Sequence, residues 1–145
     1  MTRVPVESCL DQGALRGRFL LGSRRAEVDW AQGRVLEAME HLGYDPGCRF
    51  AVRAALEEAL INAIEHGNGN DPAKTVTVEY VVSRSSIIIE VEDHGEGFDP
   101  EAVPDPTQRQ NMDIPSGRGI LLMRAFMSEV DFQAPGNRVR MAFRR

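Results

Sequence analysis

The run AALEEALINAIEHGNGN, residues 54–70, spaces Glu58, Asn62 and His66 four apart. On a helix that spacing makes one stripe. At about 100° per residue, Val52, Ala55, Leu56, Ala59, Leu60 and Ala63 gather on one side. The stripe runs along the edge of that apolar face, so Glu58 can look into whatever cleft borders the core. Glu57 falls toward the opposite side and is expected to be solvated. An exposed polar pair on an amphipathic helix is the plainer reading of Glu58 and Asn62.

A second stretch, EDHGEGFD at residues 92–99, follows the apolar run Ile87-Ile88-Ile89. Gly95 and Gly97 permit positive φ or a close backbone approach by a ligand. The stretch does not match GxxxxGK[ST], and Pro100 takes the third glycine position of GxGxxG, so neither phosphate-loop pattern applies. A carboxylate such as Asp93 accepts hydrogen bonds, which suits a donor such as the exocyclic amine of a purine. A tight turn with solubilising acids is the alternative.

The third stretch is PSGRGILLMRAFM, residues 115–127. Ser116-Gly117-Arg118-Gly119 opens an apolar helix whose first N–H groups lack intrahelical partners and attract phosphate. Arg118 can add a charge-assisted contact. A glycine-rich helix entry without ligand has the same appearance.

These stretches need elements to hold them. Arg18–Leu21 reads as a short strand, and the apolar spacing over Arg24–Leu42 predicts a helix ended by Gly43. Tyr44-Asp45-Pro46-Gly47 reads as a turn before a second helix over about Arg49–His66. Thr75–Val82 and Ser86–Glu92 read as strands joined by a hairpin around Ser83-Arg84-Ser85. Residues 99–118 contain Pro100, Pro104, Pro106 and Pro115 and few apolar side chains, the composition of a lid or a disordered segment. Ile120–Val130 predicts a third helix, and Arg138–Phe143 a last strand. The hairpin implies antiparallel pairing and argues against a doubly wound parallel sheet. The expected fold is α+β: a two-layer sandwich with a mixed, mostly antiparallel sheet and about three helices on one face.

The 145 residues suit one domain, expected to span 1–145. A net charge of −5 argues against a nucleic-acid partner. Cys9 and Cys48 are too few and too far apart for a disulfide framework or metal site. No run approaches the ~20 apolar residues needed to cross a bilayer, and the amino terminus lacks the apolar core of a signal peptide. A cytoplasmic protein without membrane contact is expected. Trp30, Met112, Met123 and Met127 read as packing residues, and the first helix as a candidate surface for a partner or a homodimer.

In order and in residues, the three stretches resemble the N-box, G1-box and G2-box of the histidine-kinase-type ATPases, which share the Bergerat nucleotide-binding fold. The boxes are Glu58-Ala-Leu-Ile-Asn62, Asp93-His-Gly95-Glu-Gly97-Phe98 and Gly117-Arg118-Gly119. The similarity covers roughly Phe50–Val130. The run GRGILLMRAFMSEV looks most like the bacterial anti-sigma-factor serine kinases. The resemblance implies that Asp93 accepts from the adenine amine and that Asn62 ligates Mg²⁺. It also implies that Gly95, Gly97 and Phe98 belong to the ATP site, and that the lid up to Gly117, Arg118, Gly119, Ile120 and Leu121 encloses the phosphates. Glu58 would be the general base toward a serine hydroxyl or a water.

The function so implied is an ATP- and Mg²⁺-dependent protein-serine kinase that sequesters a sigma factor, phosphorylates a small antagonist protein and switches partners with its ATP or ADP state. An ATP-dependent anti-sigma or adaptor module with little phosphotransfer is the alternative. A histidine kinase working in trans is a third reading, without a recognisable phosphoacceptor histidine: His41 lacks the usual following residues.

Overall fold

A computed structural model describes residues 9–10, 13–95, 117–133 and 137–145. Its elements run β1 (Cys9–Leu10), β2 (Ala14–Leu21), α1 (Arg25–His41), α2 (Pro46–Ile61), a π-helical turn (Asn62–Gly67), β3 (Val76–Val82), β4 (Ser86–Glu92), α3 (Gly117–Phe126), β5 (Glu129–Gln133) and β6 (Arg138–Arg144). The six strands form one sheet in the order β1-β2-β3-β4-β6-β5. All of its pairings are antiparallel, so the expected mixed sheet is antiparallel throughout the described residues. The α+β sandwich read from the sequence is otherwise the fold observed. None of the described helices is long and apolar enough to cross a membrane.

Alternation produces the sheet. Val76, Val78, Tyr80 and Val82 of β3 and Ile87, Ile89 and Val91 of β4 are buried, with more exposed residues between them. They meet Val52, Leu56 and Leu60 of α2 and Val28, Val35 and Met39 of α1 in a single core. The other face of the sheet carries cross-strand ion pairs: Arg18 with Glu79 at 2.9 Å, Arg140 with Glu90 at 3.8 Å, and Arg138 with Glu92. Among the described residues the helices lie on the apolar face, since the charged face offers them no apolar surface to bury.

Boundaries moved where capping or pairing overrode local pattern. Asp45 accepts from the Cys48 N–H at 2.8 Å and Pro46 occupies the first turn, so α2 begins at the residues read as a turn. The third helix stops at Phe126, because Ser128 donates to the Ala142 carbonyl at 2.8 Å and the chain continues as β5 along β6. Val130 and Phe132 thereby pack against the core from an edge strand whose first two residues, Glu129 and Val130, local periodicity places at the end of the helix. Gly117 and Arg118, expected at the end of the lid, open α3; the rest of the proposed lid, residues 99–116, lies outside the described residues. Met123 and Met127 are core residues as expected, and Trp30 packs edge-on against Phe19 with ring centroids 5.0 Å apart.

Gly17 lies opposite Tyr80 in the β2–β3 register. A Cβ on Gly17 would sit 2.3 Å from the Tyr80 ring, which is itself buried beside Phe19. Gly17→Ala must displace that ring, and we expect a loss of about 1–3 kcal/mol, read as a lower urea midpoint with an unchanged m-value.

Candidate active site

Two elements converge at the end of β4. Asp93 follows the last paired residue, Glu92, and is only 6% exposed. Its own N–H donates to the Asn137 carbonyl at 2.9 Å, and the Asn137 side-chain amide donates back to the Asp93 carbonyl at 3.1 Å. The next N–H, of His94, donates to Asn68 Oδ1 at 2.8 Å, and that of Gly95 to Asp93 Oδ1 at 2.7 Å. Three consecutive amides are thus tied down around one carboxylate.

The opposing wall is the end of the second helix, where i→i+5 pairing replaces the α-helical pattern. Asn68 N–H donates to the Ala63 carbonyl at 2.8 Å, closing a π-type turn over Asn62–Gly67. This turn presses the backbone of Gly67 against Asp93: a Cβ there would lie 2.2 Å from Oδ2 and 2.7 Å from Oδ1. Gly95 is equally constrained, since its Cβ would fall 2.0 Å from the Gly67 carbonyl oxygen. Asn68 is buried, and its Nδ2 donates to the Thr75 carbonyl at 3.0 Å. One asparagine therefore joins the helix end, the start of β3 and the Asp93 loop.

Glu58 and Asn62 meet the third stretch. A Cβ on Gly119 would lie 2.8 Å from Glu58 Oε2 and 3.4 Å from Asn62 Nδ2, so the first turn of α3 approaches both only because residue 119 has no side chain. Burial, and then the charges of Glu57 and Glu65, push the Glu58 carboxyl above the ordinary carboxylate range. Glu57 points elsewhere, as its helical angle predicts, yet it is not simply solvated: it pairs with Arg25 of α1. Asn62 is buried and its Nδ2 has no hydrogen-bond partner. A buried amide left open in this way calls for a partner from outside the protein.

An open cleft beside these walls, about 290 Å³ including the solvent at its mouth, is lined by Asn62, Ala63, Val91, Asp93, Met123 and Val139, among others. Apolar side walls with an acceptor carboxylate at one end suit a flat heterocycle bearing a donor. Among the described residues no cluster of three His, Cys, Asp or Glu side chains forms a metal site. The Asn62 amide offers one oxygen that could serve a hard cation whose other ligands are phosphate and water, the kind of sparse protein set that Mg²⁺ accepts.

Of the residues singled out in the sequence, Glu58, Asn62 and Gly119 meet, Asp93 and Gly95 meet, and Asn62 and Asp93 line one cleft. Gly117 opens α3, Arg118 is exposed, Ile120 is buried in the core, and Leu121 is 65% exposed on the outer side of α3. Gly97 and Phe98 lie outside the described residues. Sequence reasoning missed Gly67, Asn68 and Asn137. The cluster Gly67-Asn68-Gly69-Asn70 signalled only a helix stop, and nothing local marked Asn137.

Burial is the largest influence on Asp93 and raises its carboxyl above the ordinary range, although the Gly95 N–H opposes it. The native state thus holds the Asp93 proton more tightly than the unfolded chain. Stability is lost as pH rises from the unfolded carboxylate value through the raised one. Asp93→Asn removes that loss. The variant should melt a few degrees above wild type near neutral pH, with the gap closing as pH falls below about 4, where Asp93 becomes protonated in the unfolded chain as well. Thermal melts across that range check it.

Residues 23–143 match the family of histidine kinase-like ATPase domains. The chain is 30% identical over 88 residues to an anti-sigma F factor of Anoxybacillus flavithermus, covering 59% of this chain and 60% of that protein. It is 32% identical over 89 residues to an anti-sigma F factor of Clostridium perfringens, covering 60% and 64%. Over 95 residues it is 32% identical to an anti-sigma F factor of Clostridium botulinum, covering 62% and 66%. The chain spans about three-fifths of the length of the curated relatives it matches. The Glu58–Asn62 stripe, Asp93 and the Gly119 turn all fall within the matched range. The chain belongs to the histidine kinase-like ATPase domain family.

Proposed function

We propose that this protein is an ATP-dependent protein-serine kinase of the anti-sigma-factor type. On this reading it transfers phosphate to a small antagonist protein and alternates between that protein and a sigma factor with its nucleotide state. The observation that carries the reading is the approach of Gly119 to Glu58 and Asn62. It sets a carboxylate of raised pKa beside the helix start that suits phosphate, and Asn62 next to it shares a cleft with the buried acceptor Asp93, which this reading assigns to the adenine end. The names of the anti-sigma F factor relatives supply the partner class.

Each residue then has a stated task. Asp93, held by its three anchored amides, accepts from the adenine amine and fixes the base between Ala63, Val91 and Met123. Asn62 would hold Mg²⁺, which supplies charge neutralisation on the phosphates when bound. Free N–H groups at the start of α3 face the phosphates. Glu58 accepts the serine proton as the serine oxygen bonds to the γ-phosphorus and the bond to the β–γ bridging oxygen breaks, releasing ADP. A carboxylate that is partly desolvated is a stronger base than one in water, which favours this role. Most of the acceleration would come from positioning and charge at the γ-phosphate.

Glu58 must be ionised to act, so the transfer rate should rise with pH through its raised pKa and level off above it. Glu58→Gln is expected to lower phosphotransfer by about 10²–10⁴-fold and leave ATP affinity nearly unchanged, whereas Glu57→Gln should keep transfer. Asp93→Asn should weaken ATP binding by about tenfold or more, the value of one buried hydrogen bond to a charged group. Incubation with radiolabelled ATP, Mg²⁺ and antagonist proteins, alongside calorimetric titration of ATP, checks all of these. ATP binding without label on any serine would leave the adaptor reading in place of the kinase, and label on histidine would favour a histidine kinase acting in trans.

A further inference from the structure

Asp93 is buried and lines the cleft, yet its orientation depends on residues from two other segments. Asn137 holds it from the start of β6 with two bonds: its carbonyl takes the Asp93 N–H at 2.9 Å, and its side-chain amide donates to the Asp93 carbonyl at 3.1 Å. The β4–β6 ladder ends one residue earlier, at Glu92 opposite Arg138, so this clamp extends beyond the ladder. On the other side Asn68, tied to Thr75 and Ala63, receives the His94 N–H at 2.8 Å. Asn137 also lines the cleft itself.

We infer that Asn137, with Asn68 supporting it, is a positioning residue for base selection: it holds the Asp93 carboxylate where it distinguishes a 6-amino purine from a purine without that amine. This deepens the nucleotide reading above and rests on it. The physical reason is geometric. A carboxylate gains from a donor only within a narrow range of distance and angle, and Asp93 can swing by rotation of its backbone as well as its side chain. The Asn137 side-chain amide removes the backbone freedom at the Asp93 carbonyl. Binding to the apolar walls needs no such alignment, so it should survive when the clamp is cut.

The test compares two nucleotides in the same protein: ATP, and purine riboside 5′-triphosphate, which carries hydrogen in place of the amine. Wild type should bind ATP about tenfold more tightly than the analogue, the value of one good hydrogen bond. Asn137→Ala should lose most of that preference by weakening ATP alone, with analogue affinity within about twofold of wild type. Asn137→Ser, which keeps a hydroxyl donor, should recover part of the preference. Equal weakening of both nucleotides, or an unchanged preference in Asn137→Ala, would overturn the positioning role. Wild type binding both nucleotides equally would instead sink the assignment of Asp93 to the amine. If Asn137→Ala does not fold, the serine variant carries the same comparison: an undiminished preference in a variant with a shorter reach also overturns the inference.

Discussion

A buried carboxylate must be solvated by the protein if it is not solvated by water, and Asp93 sets that requirement for this fold. Its Oδ1 is met by the Gly95 N–H, while its other oxygen lies against a helix end that has no side chain to repel it. Meeting the requirement recruits glycine at 67 and 95, asparagine at 68 and 137, and a helix that leaves α-geometry in its last turn. Burial still wins over the hydrogen bond, since the carboxyl is held above its ordinary range. The site is therefore a local cost in stability, the pattern expected where a group is kept poised for a ligand rather than satisfied by the chain.

The π-type turn has consequences at both ends of the cleft. At its end it brings Gly67 to Asp93 and hands Asn68 to the loop that follows β4. At its start it leaves Asn62 buried with an unpartnered amide, next to Glu58 one turn earlier. A regular α-helix through residue 67 would redirect every side chain beyond Asn62 by the difference between the two winding patterns. The wide turn thus couples Asp93 to Asn62 and Glu58 across a single helix terminus.

The other wall is set by a different packing constraint. α3 runs over α2 with Gly119 against Glu58 at one end and Phe126 against Phe50, ring centroids 5.7 Å apart, at the other. Ile120, Met123 and Met127 anchor α3 in the core, and β5 pairs with β6 behind it. From Ile120 onward α3 is therefore fixed against the core.

Much of this was legible from the chain. The six apolar positions of the second helix are all buried, the Ser86–Glu92 strand has its expected bounds, and Glu58 separates from Glu57 as a 100° rotation requires. These features depend on periodicity within one element, and periodicity is written locally. The glycines at 95 and 119 could be singled out for a related reason, because each stands beside a predicted strand end or helix start, although a plain turn would look the same. What tertiary structure alone decided involves partners distant in sequence: β5 takes its shape from β6, Gly67 is required by a carboxylate 26 residues later, and Asn137 clamps a loop 44 residues earlier. Asparagine and glycine are common in turns for reasons of their own. Their role in this site exists only once the sheet has brought β4, β6 and the helix end within hydrogen-bonding distance.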